Sequence, residues 1–157
     1  MVVIEMEDGG KIKLKLCPKQ APLTVANFEK LVNEHFYDGL IFYRVVSGFM
    51  IQGGDPSGSD SAGSGTRIHG EFRMNGVNNT LKHTRGTISM ARAQDPNSAT
   101  SHFFIVHQDS LYLDGFYAAF GEVVEGMDVV DRIASVKTDM NDRPLQEQKI
   151  KTIRIED

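Results

Sequence analysis

The sequence predicts a mainly β protein, a closed eight-stranded antiparallel β-barrel capped by two α-helices, in one domain over residues 1–157. Three observations carry this. Apolar residues alternate in about eight short segments, only two stretches have helical spacing, and the long strand–helix–strand alternation of a parallel sheet is absent. Many short strands favour closure, because a closed barrel leaves no unpaired edge. Two amphipathic helices need apolar partners, and the open ends of a barrel supply them.

Val2, Ile4 and Met6 alternate with Glu5 and Glu7, and after Asp8-Gly9-Gly10 the residues Ile12, Leu14 and Leu16 alternate with lysines. Two period-2 runs around a Gly-rich turn read as a β-hairpin with one buried face. Pro22 suits a first helical turn, where its missing N–H costs nothing. Val25, Phe28, Leu31 and Val32 then place one apolar face on a helix over residues 22–34. Short β-prone segments follow at 41–46 and 49–52, and residues 53–65 have the Gly and Ser content of a loop. Further strands are expected at 87–91, 103–107 and 118–124. A second helix is expected at 126–135, and a closing strand at 149–155.

Hydrophobic residues make up 40% and charged residues 24%, a balance that argues against disorder. No apolar run approaches the roughly 18–20 residues of a membrane span. A net charge of −4 and a pI near 5.7 argue against nucleic-acid binding. The lone cysteine, Cys17, excludes an internal disulfide and fits a reducing compartment. No basic segment followed by an apolar one opens the chain, so a cytoplasmic setting is expected. A monomer is expected as well.

Familiar chemistries are missing. There is no phosphate-binding loop of the G-x-x-x-x-G-K-[ST] kind and no G-x-S-x-G elbow. His102 and His107 sit an odd number of residues apart on one strand, which points them to opposite faces and away from a shared metal. No cofactor or metal is called for.

The unusual segment is IFYRVVSGFMIQGGD, residues 41–55. Strand alternation puts Phe42, Arg44 and Val46 on one face, so a cation points with apolar groups. Phe49, Met50 and Gln52 add a ring, a flexible thioether and an amide. Such a set makes either a small site for an uncharged ligand or a surface arginine whose stem packs while its head stays in water.

This segment resembles the cyclophilin signature. So do TISMARA at 87–93, SHFFI at 101–105, LDG at 113–115 and FGEV at 120–123, in the same order along the chain. The resemblance implies an eight-stranded barrel with two helices and a peptidyl-prolyl cis–trans isomerase acting on proline-containing peptides and unfolded proteins. It implies that Arg44 is catalytic and that Gln52 orients Arg44 and substrate. Phe49, Met50, Phe104 and Leu113 are then walls of a proline pocket, and Ala91 and Arg92 hold the peptide backbone. His102, Tyr112 and Tyr117 fall at further substrate-facing positions. The chain departs from the family's usual residues at Tyr43 (His), Arg92 (Asn), His102 (Gln), Tyr112 (Trp) and Tyr117 (His). Tyr112 lacks the indole N–H, which weakens the expected binding of cyclosporin. A non-catalytic proline-peptide binding module or chaperone is the second reading. A small-ligand barrel, the third, requires a hollow interior.

Overall fold

The computed structural model describes residues 1–58 and 62–156, so residues 59–61 of the expected 53–65 loop lie outside the described residues. The strands are β1 (Val2–Met6), β2 (Lys11–Leu16), β3 (Phe42–Val46), β4 (Met50–Gly53), β5 (Thr87–Met90), β6 (Phe103–Val106), β7 (Ala119–Glu125) and β8 (Ile150–Ile155). The helices are α1 (Pro22–Asn33) and α2 (Met127–Ala134). Two short 3-10 turns, Arg73–Asn75 and Leu111–Leu113, had no periodic signal in the sequence.

All eight strands join one antiparallel sheet in the order β3-β4-β6-β5-β7-β2-β1-β8. The expected closed barrel is corrected here, because the sheet is open and curled. Its edge strands β3 and β8 do not form a ladder with each other, and the chain beside them is joined by the isolated Ile41–Lys149 bridge and by the Gly39 N to Ile150 carbonyl hydrogen bond. The edge of β3 is covered by the segment that leads into β8. Val45 N donates to the Asp142 carbonyl at 2.8 Å, and Phe42 N donates to the Gln148 carbonyl at 3.0 Å. That segment contains Pro144 and a left-handed Asp142 (φ 62°), so it cannot continue as a strand. The edge is thus blunted by a loop instead of by closure.

The concave side is filled. Phe28 of α1 sits within 5.1–5.7 Å of the Phe103, Phe120 and Tyr37 rings, and Ile4, Ile12, Leu14, Ile51 and Ile88 complete the packing. Bulky side chains occupy the space that a small-ligand barrel would keep hollow. β4 and β6 are buried along their whole length because both of their faces are covered. Ile51, Phe103 and Ile105 face the main core, while Met50, Phe104 and Val106 join a second apolar cluster on the opposite face.

α1 begins on Ala21, which has no side-chain oxygen to cap the helix. A distant carboxylate does so instead. Glu71 accepts from Leu23 N at 3.1 Å, Thr24 N at 2.6 Å and Thr24 Oγ1 at 2.6 Å, all near the positive end of the helix dipole. Replacing Glu71 by Ala strands these buried donors and is expected to cost about 2 kcal/mol. Urea unfolding checks this, and an unchanged midpoint would contradict it.

Candidate peptide-binding site

The site is set by an irregularity in β3. Phe42 opposes Gly53 and Arg44 opposes Gln52, so Tyr43 is an extra residue in the ladder. The bulge breaks the expected alternation. Phe42 and Val45 both turn into the main core, and Phe42 does not share a face with Arg44 as the simple pattern predicted. Arg44 is exposed, and no hydrogen bond or ion pair joins its guanidinium to any of the described residues.

Arg44 lies at the rim of a cavity of about 370 Å³. Its floor is apolar: Met50, Phe104 and Leu113 are buried there, with Phe49, Ala91 and Tyr117 packed beside them. Gln52, across the ladder from Arg44 and next to Phe104 on β6, supplies an amide. The remaining wall runs from Ala91 through Arg92 and Ala93 to Ser98, Thr100 and His102, with Arg67 on the far side. Ten of the eleven residues singled out from the sequence therefore line one hollow. The exception is Tyr112, which is 68% exposed and outside the lining, although its ring lies 6.0 Å from that of Phe49.

Arg92 lines the cavity, but its guanidinium is engaged elsewhere. It donates to the carbonyls of Phe116, Ala93 and Gln94, and lies 4.8 Å from the ring centres of both Phe72 and Tyr117. The side chain clamps the 91–94 segment to the turn before β7. Gly54 lets the chain leaving β4 pass close to the segment before β6. Its φ of 100° suits glycine, and a Cβ there would collide with the Ser101 carbonyl.

Sequence reasoning missed the support beneath the floor. His83 is buried, its Nδ1 is 2.9 Å from Asp114 Oδ1, and its Nε2 is 2.9 Å from Ser89 Oγ. Its ring stacks on Phe104 at 5.9 Å, and the Asp114 carboxylate also accepts from His83 N. A lone histidine thirty residues from its partner gave no local pattern to read. Burial pushes its pKa below the usual value, while Asp114 opposes the shift. The folded pKa is the lower one, so the unfolded chain takes up the proton first as pH falls. His83 therefore contributes stability fully above about pH 6.5, and that contribution is lost as pH drops through the folded pKa. The melting temperature of the native chain should fall more steeply between pH 7 and 5 than that of His83→Asn. Parallel slopes would contradict this.

Among the described residues lining the cavity there is no carboxylate and no thiol. The Ser98 and Thr100 hydroxyls donate to backbone carbonyls, and His102 Nδ1 is engaged with Tyr43. The hollow is thus equipped to grip an uncharged chain segment and to direct one cation at it, without bond-making chemistry. The chain matches the family described as cyclophilin type peptidyl-prolyl cis-trans isomerase/CLD over residues 1–155. It is 41% identical over 152 residues to peptidyl-prolyl cis-trans isomerase ppi1 of Schizosaccharomyces pombe, covering 96% of each chain. It is 44% identical over 130 residues to peptidyl-prolyl cis-trans isomerase B of Bacillus subtilis, covering 83% of this chain and 87% of that one. A cyclophilin type peptidyl-prolyl cis-trans isomerase of Cryptosporidium parvum, crystallised in the presence of the dipeptide Ala-Pro, superposes with a TM-score of 0.86 at 31% identity, covering 99% of this chain and 98% of that one. The chain belongs to the cyclophilin-type peptidyl-prolyl cis–trans isomerases.

Proposed function

We propose that this chain, acting as a single isomerase domain, speeds rotation about Xaa-Pro bonds in peptides and unfolded proteins, and that Arg44 supplies the decisive interaction. The observation that carries the reading is a guanidinium with no hydrogen bond or ion pair among the described residues, at the rim of the apolar hollow of Met50, Phe104 and Leu113. The proline ring enters that hollow. Ala91 and the Arg92 main chain hold the adjoining backbone, with Phe49, His102 and Tyr117 completing the walls. That the crystal structure of the Cryptosporidium protein was determined in the presence of Ala-Pro supports the same ligand class for this chain.

An Xaa-Pro amide rotates slowly because resonance gives it a barrier of about 18–20 kcal/mol. A quarter turn breaks that resonance and returns a lone pair to the proline nitrogen. The nitrogen then accepts a hydrogen bond that the planar amide cannot accept. A guanidinium placed there favours the twisted state over both planar isomers, which is the condition for catalysis. Lowering the barrier to about 13 kcal/mol corresponds to roughly 10³ turnovers per second. One charged hydrogen bond supplies part of this, and the grip on the ring supplies the rest.

Tyr112 stands clear of the cavity and lacks an indole N–H, so cyclosporin binds weakly on this reading. A reducing, cytoplasmic setting fits the single, half-buried Cys17, whose thiol burial pushes its pKa up and keeps it protonated. No described helix is long and apolar enough to cross a membrane. The proposal is tested by exchange spectroscopy on an Ala-Pro peptide with a small fraction of the chain added. Faster isomer exchange supports it, whereas saturable binding with no acceleration makes the chain a binding module.

A further inference from the structure

Two departures from the family's usual residues, separate in the sequence, are one unit in space. Tyr43 Oη lies 2.7 Å from His102 Nδ1, and the two buried rings meet edge to face at 5.6 Å. Gln52 Nε2 in turn donates to Tyr43 Oη at 2.6 Å. On the far side of the imidazole, His102 Nε2 faces the buried Asp55 carboxylate, with Oδ1 at 3.7 Å.

These contacts have a direction. A carboxylate beside Nε2 favours the tautomer that carries its proton there, which leaves Nδ1 as an acceptor. Tyr43 has a single hydroxyl proton and must give it to Nδ1. Its oxygen is then an acceptor, and the only part of Gln52 that can satisfy it is the amide NH₂. The chain of donors runs one way, from Gln52 through Tyr43 to His102. The amide is thereby held with its nitrogen toward Tyr43. Its carbonyl Oε1 has no hydrogen-bond partner among the described residues and is left to the cavity, beside Arg44.

Resting on the isomerase reading above, we infer that Tyr43 is a positioning residue for that reaction. With His102 and Asp55 it sets which end of the Gln52 amide is offered to the substrate. Tyr43 does not itself line the cavity and acts through Gln52. A reversed amide would present NH₂ next to the Arg44 guanidinium, two donors where the reading needs a donor and an acceptor. Tyr43 and His102 therefore work as a pair: the imidazole that the family usually carries before the arginine stands here on β6's entry, and the phenol bridges the gap.

Tyr43→Phe keeps the ring and removes the hydroxyl. For an Ala-Pro peptide it should lower kcat about tenfold and change KM less than twofold, the worth of one well-placed hydrogen bond. His102→Gln alone should show a similar loss. The paired change Tyr43→His with His102→Gln should recover activity well above the product of the two single effects. The side-chain NH₂ resonances of Gln52 should shift in Tyr43→Phe, a readout independent of the activity assay. Wild-type kcat in Tyr43→Phe, single effects that simply multiply in the pair, or unmoved Gln52 amide signals would each overturn the inference. Arg44→Ala in the same assay separates the two levels. Its inactivity beside a fully active Tyr43→Phe sinks the positioning role alone, whereas full activity in Arg44→Ala sinks the isomerase reading on which that role rests.

Discussion

Arg44→Ala is expected to lower kcat/KM for Xaa-Pro exchange by about 10²–10³-fold, the range seen when a preorganised donor to developing charge is removed. Stability should hardly change. The guanidinium has no hydrogen bond or ion pair with the described residues and is exposed, so its loss breaks no polar contact among them and leaves no buried partner there. Melting temperature and isomer-exchange rate, measured on the same sample, should therefore part company. Arg44→Lys should fall between the two. It keeps the charge but replaces a planar fork by a point donor that must find its own direction. A large fall in melting temperature in Arg44→Ala would mean that the side chain is structural instead.

The second large effect is expected at Phe104. Its ring is buried between His83, stacked at 5.9 Å, and Tyr117, edge-on at 5.9 Å, and it packs with Met50 and Leu113. Phe104→Ala removes the floor of the hollow and leaves a void against His83. Truncations of this kind cost about 3–5 kcal/mol. The same change should raise KM for proline peptides more than it lowers kcat, because in the proposed mode of binding Phe104 grips the ring without touching the twisting nitrogen. Phe104→Leu keeps much of the volume and should recover most of the stability but less of the binding. Urea unfolding and steady-state kinetics read the two consequences separately. Unfolding midpoints within error of wild type for Phe104→Ala would contradict the placement of this ring.

The strands and both helices were legible because each buries one face, and burial writes a period of two or 3.6 into the sequence. The hairpin of β1 and β2 and the Phe28 face of α1 are clear instances. The bulge at Tyr43 was not legible. A single inserted residue leaves the composition of a strand unchanged and only shifts which side chains face inward, as Phe42 and Val45 do. Closure of the sheet was inferred from the cost of free edges. The chain meets that cost by laying residues 142–148 along β3, a tertiary choice that no local pattern encodes. The cap of α1 by Glu71 and the pairing of His83 with Asp114 beneath Phe104 join residues that are more than thirty positions apart.

The site residues were located by motif, and the fold gathers all but one of them around the same hollow. Tyr112 shows the limit of that route. It occupies the matching position in sequence, yet the short turn over Leu111–Leu113 buries Leu113 and leaves its neighbour in solvent. Tyr43 shows the opposite case, a residue outside the hollow whose hydroxyl reaches Gln52 and His102.

The central claim is that the arginine acts on the half-rotated amide and not on the resting peptide. Exchange NMR on a peptide held at saturating protein reads the interconversion of the two bound isomers without a contribution from binding. With Arg44→Ala the bound cis and trans forms should interconvert at least a hundredfold more slowly than on the native chain, at nearly unchanged affinity. Interconversion at the native rate, or a loss of affinity large enough to account for the whole defect, would contradict the account.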